Sequence, residues 1–379
     1  MATLDPIIHG DLPPVGEAIL IPKLVEPAPE FDGFNAHYVD SGTSALALAL
    51  LAAKQLHPDV KHPEVIIPAY CCPDLVSAAV FAKIKPVVVD ITPNQPTLCL
   101  SELKQNLSGN TIAVIAVNFL GIPERLKEIK NLLPAHCHLI EDNAQSYTPL
   151  TRPTELQGDF IITSFGRGKP VSLLGGGLCL INSTFTNRLQ LSPYIHASSD
   201  DRLLTLKIRA YNLLIHPKFY WLANRNPLLN IGQTIYKPLK QITAIDSVRK
   251  HWLQANIHCY LRRARTIEKN LDETLAMQCL IHPIAQQNRD PLLRYPVLCE
   301  QRQNKDQLYK ILNTKGLGAS TMYGSSIDRI PGINSLVTLT SDNRHAARFA
   351  EALLTLPCHS RSNRLIKDIS QALKLLTSR

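Results

Sequence analysis

No apolar run in the 379-residue chain approaches the ~20 residues that a helical membrane span requires, so none is expected. Gly/Ser tracts, heptads and internal repeats are also missing, which excludes long flexible linkers, coiled coils and solenoids. The nine cysteines are odd in number, none are spaced as CxxC, and none cluster with histidine as zinc ligands do. A reduced, cytoplasmic setting with no structural metal is the expectation. The N-terminus has no basic start followed by an unbroken apolar run, so no signal peptide is expected. Neither GxGxxG nor GxxxxGKS/T stands in a strand-to-helix setting, which argues against the usual nucleotide-binding α/β proteins.

Charged residues are sparse at 19%, while 45% of the chain is hydrophobic, enough for one large domain and a smaller one. The net charge is +9, which suits anionic partners such as nucleotides, phosphates, nucleic acid or a membrane surface. Its basic residues in the C-terminal half, among them Arg202, Lys207, Arg209, Lys218, Lys237 and Lys240, lack the aromatic interleaving of a nucleic-acid groove. No nucleic-acid partner is expected.

Residues 1–37 are proline-rich and aperiodic, and read as an extended arm. From Tyr38, SALALALLAAKQL (44–56) is a strong helix former, and EVIIPA, KPVVVDI, TIAVIAVNF, CHLIEDNA, DFIITSF and GLCLINS are short β-branched runs. Such alternation predicts an α/β fold with a mostly parallel sheet covered by helices. The strand signal fades over 183–270, leaving basic helical segments broken at Pro217, Pro227 and Pro238. Further on, RYPVLCE (294–300) reads as a strand, KDQLYKILNTKG (305–316) as a helix closed by Gly316, and the last thirty or so residues as helical. The expected division is a large domain over 38–240, with 183–240 as a helical excursion, and a helical connection plus small α+β domain over 241–379.

Four segments carry candidate chemistry at strand ends, where open α/β sheets bind ligands. In DSGTSALAL (40–48), Gly42 permits a tight turn, and Thr43 and Ser44 bring hydroxyls and amides to a helix start that attracts phosphate. An ordinary Ser/Thr cap fits that segment too. In HLIEDNAQS (138–146), a strand ends on Glu141 and Asp142; a carboxylate here can pair with a protonated pyridine nitrogen, and Gln145 can reach a ring oxygen. In ITSFGRGKPVSLLGGGLCL (162–180), Lys169 lies between small residues and three glycines, near Arg167, a setting in which a lysine forms an imine with an aldehyde. Ser164 stands five residues earlier as a phosphate donor. In IIPAYCCPDL (66–75), Tyr70 can stack on a flat ring; Cys71 and Cys72 have no adjacent histidine to make a nucleophile.

Taken in order, SGTSAL, IIPAY, IKPVVVDI, LIEDNAQ and SFGRGK followed by GGG resemble the DegT/DnrJ/EryC1/StrS family of sugar aminotransferases; RYPVLCE, GASTMYG and LLTLPCH extend the likeness. The resemblance implies fold type I of the pyridoxal-phosphate enzymes, with pyridoxal 5'-phosphate as cofactor. It implies Lys169 as the Schiff-base lysine, Asp142 as partner of the pyridine nitrogen, Gln145 as neighbour of the ring hydroxyl, and Thr43, Ser44 and Ser164 as phosphate ligands. Cys71 and Cys72 stand where the family usually has an aromatic residue or histidine, and Asn118 stands where many members have histidine. The implied activity is transfer of an amino group, usually from glutamate, to a keto group of a nucleotide-linked sugar by a homodimer, in polysaccharide or glycoconjugate biosynthesis. A lyase on the same fold, or a silent cofactor-binding regulatory protein, are the rival readings.

Overall fold

The computed structural model describes residues 10–24, 26–148, 153–224, 234–275, 280–284 and 289–377. The β-branched runs form the expected strands β2 (Glu64–Pro68), β3 (Lys85–Val89), β4 (Thr111–Val117), β5 (His138–Asp142), β6 (Phe160–Ser164) and β7 (Gly177–Asn182), and a further strand, β1 (Phe34–Val39), precedes them. Two-residue strands β8 (Ile195–His196) and β9 (Ile242–Thr243) pair with each other, β10 (Ile281–Pro283), β11 (Tyr295–Cys299) and β13 (Leu353–Leu356) make a three-stranded antiparallel sheet, and β12 (Thr338–Leu339) lies apart from it.

The large sheet has the order β1-β7-β6-β5-β4-β2-β3-β12, and only β7 runs against the others. Side chains alternate across it with the period of two that a pleated strand imposes. Ile66, Val87, Val89, Val114, Ala116 and Leu139 point to one side, where helices Leu100–Asn106 and Leu126–Leu132 contribute Leu103 and Ile129. Val65, Ile67, Val88, Ile115 and Ile140 point to the other, onto α1 (Gly42–Gln55), whose ten residues Ser44–Ala53 are all buried. Burial on both faces explains why these strands read as continuous apolar runs rather than alternating ones.

The same apolar cluster continues into the C-terminal region through Leu292, Tyr295, Val297, Leu308 and Leu354. Helix Arg302–Thr314 ends as expected, with Gly316 at φ +67. Four features differ from the sequence reading. Strand β1 begins at Phe34, inside the segment read as an arm; β13 falls within the last thirty or so residues, read as helical; β8 interrupts the helical excursion and pairs with β9 just beyond it; and β12 joins the large sheet from the C-terminal region. The last two are two-residue strands, too short to leave a periodic signal.

Between Leu12 and Leu20 the arm is held to the body by hydrogen bonds. Leu12 donates its amide to the Gly316 carbonyl, Ile19 and Leu20 bond the side-chain amides of Asn212 and Asn256, and His359 Nε2 lies 2.9 Å from the Pro13 carbonyl. Burial pushes the His359 imidazole down to about 4. An unfolded imidazole titrates near ~6.5, so between these values the unfolded chain binds more protons and stability falls as pH drops. In denaturant titrations at about pH 7.5 and about pH 5, the wild type should lose up to ~2 kcal/mol more on acidification than His359→Gln. Equal losses in the two proteins would remove His359 as the cause.

Candidate functional site

The carboxyl ends of β4, β5 and β6, the turn from β1 into α1 and the start of antiparallel β7 meet at one edge of the large sheet. Strand β5 ends there on two adjacent carboxylates, which the pleat sends to opposite faces. Glu141 is fully buried and saturated: Asn118 and Asn143 donate side-chain N–H groups to Oε1, and the Gln157 and Gly158 amides donate to Oε2. Asp142 points into a cavity of about 280 Å³. Its Oδ1 accepts the Ala144 amide at 2.8 Å, and its other oxygen has no hydrogen-bond partner among the described residues. Burial pushes the Asp142 carboxyl up to about 6, against the lowering effects of the Ala144 amide and of the positive charge of Lys169.

Lys169 lines the same cavity from the loop joining β6 to β7. The Phe165 backbone closes that loop, its carbonyl accepting from the amides of Leu173 and Gly175 and its amide donating to Gly176. Gly168, at φ +72, turns the chain just before the lysine. No described residue accepts a hydrogen bond from Lys169 Nζ, so the amine is free to face the cavity.

The third wall is the start of α1. Ser41 caps the helix in extended conformation, its hydroxyl accepting the Ser44 amide at 3.0 Å and donating to Ser44 Oγ at 2.9 Å. Gly42 and Thr43 follow with first-turn amides that have no partner within the helix. A Cβ on Gly42 would lie 2.6 Å from Ser164 Cβ, and one on Gly177 would lie 2.2 Å from the Ser41 carbonyl oxygen. The last of the three glycines thus admits a close approach of the protein's own β1–α1 turn.

Of the residues singled out in the sequence, Gly42, Thr43, Asp142, Gln145, Ser164 and Lys169 line this cavity together. Ser44 and Tyr70 do not. Ser44 is fully buried, its hydroxyl oxygen accepting from Ser41, and Tyr70, 2% exposed, is packed among Phe119, Tyr323 and Phe349. The aromatic wall is instead Tyr323, whose hydroxyl accepts from Gln145 Nε2 at 2.5 Å and whose ring centroid lies 5.3 Å from that of Tyr70. Sequence reading missed Tyr323 and Ser41; the glycines bracketing the tyrosine in GASTMYG, Gly318 and Gly324, both at positive φ, were the available signal. Burial and neighbouring carboxylates push the Cys71 and Cys72 thiols up, which keeps them protonated and poorly nucleophilic. Asn118 ties Asn143 and the Glu124 amide together behind the site.

A larger cavity of about 460 Å³ lies on the other side of Lys169, which borders both. The arm residues Val15 and Glu17 form one wall, with Tyr260, Arg263 and His359 opposite. The chemistry concentrates in the smaller cavity, where the buried carboxylate faces the amine.

The sequence model of the DegT/DnrJ/EryC1/StrS aminotransferase family matches residues 34–197 and 251–373. The chain belongs to this family. Its members depend on pyridoxal phosphate, and the donor set here fits that group: a free amine, a buried carboxylate facing the same cavity, and amides and hydroxyls gathered at a helix N-terminus. Among curated proteins, the chain is 28% identical over 147 residues to a GDP-perosamine synthase of Escherichia coli O157:H7, covering 38% of this chain and 39% of that protein. The corresponding enzyme of Vibrio cholerae is 28% identical over 152 residues, 39% and 40% of the two chains. The match thus spans about two fifths of the curated relatives' length. Solved structures similar over most of the chain include the sugar aminotransferase CalS13 of Micromonospora echinospora (17% identity, TM-score 0.63, 90% of this chain and 87% of that one). The GDP-4-keto-6-deoxy-D-mannose-3-dehydratase of E. coli matches at 15% identity and TM-score 0.67, over 90% and 88%. These likenesses establish fold type I.

The two carboxylates should respond oppositely to substitution. Glu141→Leu strands four buried donors and should cost ~3–5 kcal/mol of stability. Asp142 has its folded titration raised above the unfolded value, so its stabilising contribution belongs to acid pH and is lost as pH rises through about 6. Asp142→Asn should therefore stabilise the cofactor-free protein by up to ~3 kcal/mol at neutral pH. Urea unfolding of both variants without cofactor checks this; a destabilised Asp142→Asn would contradict the assignment of Asp142 as an unsatisfied charge.

Proposed function

We propose that the protein is an aminotransferase that moves an amino group from an amino acid, with glutamate as the first donor to test, to a keto group of a nucleotide-linked sugar. The observation that carries this reading is the placement of Lys169, Asp142 and the α1 N-terminus around one cavity. Since the curated relatives are named as GDP-perosamine synthases, a GDP-linked keto sugar is the first acceptor to test.

Lys169 would hold the cofactor through its Nζ and, once released, move a proton to and from the substrate's amino-bearing carbon. Asp142 would keep the ring nitrogen protonated, a task suited to a carboxylate whose affinity for protons is already raised by burial. The Gly42 and Thr43 amides with the Thr43 and Ser164 hydroxyls would bind the phosphate. Gln145, anchored by the Leu120 amide and Tyr323, would meet the ring hydroxyl, and Tyr323 would cover a ring face. Bound there, pyridoxal phosphate supplies an aldehyde for the amine and an electron sink for the carbon that loses its proton. The larger cavity, bordering the amine from the other side, is the chamber in which donor and sugar would lie. A cytoplasmic homodimer acting in polysaccharide or glycoconjugate biosynthesis is the setting of this proposal.

Visible absorption spectra of the loaded protein, Lys169→Ala and Asp142→Asn test it. The wild type should show a lysine-dependent band that glutamate converts to the amine form of the cofactor, and Lys169→Ala should lower turnover of a GDP-linked keto sugar on the order of 10³-fold. A lysine-dependent band that no amino donor alters would mean a lyase or a silent binder. Absence of any such band would overturn the reading.

A further inference from the structure

Residues 198–250 fall between the two segments that the family model matches. From 202 to 245 the chain carries seven basic residues and neither Asp nor Glu, leaving 33 of the 40 Lys and Arg to balance all 31 acidic residues elsewhere. Nearly all of the net charge of +9 therefore comes from this stretch.

Its described part folds as two helices, Leu204–Leu214 and Pro217–Asn224. The first is apolar on two faces. Leu204 and Ile208 are fully buried against the body of the protein, while Leu203, Leu206, Leu213 and Leu214 are 59%, 63%, 56% and 40% exposed. At 100° per residue, 203, 206, 210, 213 and 214 form one outward stripe, with Lys207 along one edge and Arg209 along the other. The second helix continues the pattern: Tyr220 and Ala223 are buried, and Phe219 and Leu222 are 41% and 48% exposed beside exposed Lys218. The inner face and the Asn212 bonds to Ile19 fix the pair to the protein, so the outer face is presented as a set surface.

A contiguous apolar face of this size bordered by one sign of charge marks a docking surface. Helices of 11 and 8 residues are too short to cross a bilayer but are suited to lie in its interface. Lys207 is paired with Asp201, but Arg209 and Lys218 have no acidic partner among the described residues, so a second copy laid on this face would oppose basic residues to basic residues. Anionic headgroups supply the missing charge, and the acyl boundary takes the leucines and phenylalanine. We propose that the helix pair Leu204–Asn224 docks the enzyme on the surface of an anionic bilayer, with its axis in the plane of the membrane.

Co-sedimentation of the cofactor-loaded, full-length protein with vesicles tests this. Vesicles of phosphatidylcholine containing roughly 30% phosphatidylglycerol should bind the wild type, pure phosphatidylcholine should bind it weakly, and added salt should release it. Leu206→Glu/Leu213→Glu, and independently Arg209→Glu/Lys218→Glu, should weaken binding by about tenfold or more. The circular dichroism and cofactor absorption of both variants should match the wild type, and the charge variant carries the test alone if the leucine variant fails to fold. No binding of the wild type to the anionic vesicles, or equal binding by the folded variants, overturns the proposal. So does a leucine variant that turns a dimer into a monomer in sedimentation velocity while the wild type ignores vesicles, which would put a second copy on this face.

Discussion

The site rests on the alternation of side chains at the end of β5. Two carboxylates adjacent in sequence, both buried, are sent to opposite faces of the sheet and meet opposite fates. Glu141 receives four donors and becomes part of the scaffold; Asp142 receives one and keeps an oxygen facing the cavity. A shift of one residue in the register of β5 would exchange them, placing the saturating network against the wrong group. Parallel pairing on both sides of β5 fixes that register, with Val117 opposite Asp142 on β4 and Ile162 opposite it on β6.

An unsatisfied buried charge destabilises the empty protein, and the surrounding structure has to hold it in place. The glycines contribute directly. Gly177 lets the first residue of β7 lie against the Ser41 carbonyl, and Gly42 lets the helix start lie against Ser164, so that the α1 N-terminus and the β6 end share one wall. The Lys169 loop is closed by the carbonyl and amide of Phe165, with the Arg249 guanidinium donating to the Leu173 carbonyl, and Lys169 lines the cavity.

Much of this was legible in the sequence because it is written in local signals. Strands β2 to β7 announced themselves as apolar runs ending in turn residues, and the glycine, carboxylate and lysine of the site each stood at a strand end. What was not legible depends on contacts between distant segments. Which of Ser41 and Ser44 lines the cavity depends on where the helix begins, and the segment offers both serines. Tyr70 had the composition of a stacking residue, yet Phe119, Phe349 and Tyr323, drawn from three other parts of the chain, enclose it. The arm's role as a cavity wall and the strand lent by β12 are likewise tertiary facts with no local period.

The segment that carries Tyr323 is anchored at both ends to different sheets. Ser320 exchanges backbone hydrogen bonds with Thr355 of the small sheet, Ile327 donates to the Ala69 carbonyl beyond β2, and Thr338 and Leu339 pair with Val87 and Val88 of the large one. The roof over the smaller cavity is thus a beam resting on two abutments rather than a flap on one hinge. Rotating the small sheet away from the large one would therefore have to part β12 from β3, which ties the roof's position to both sheets at once.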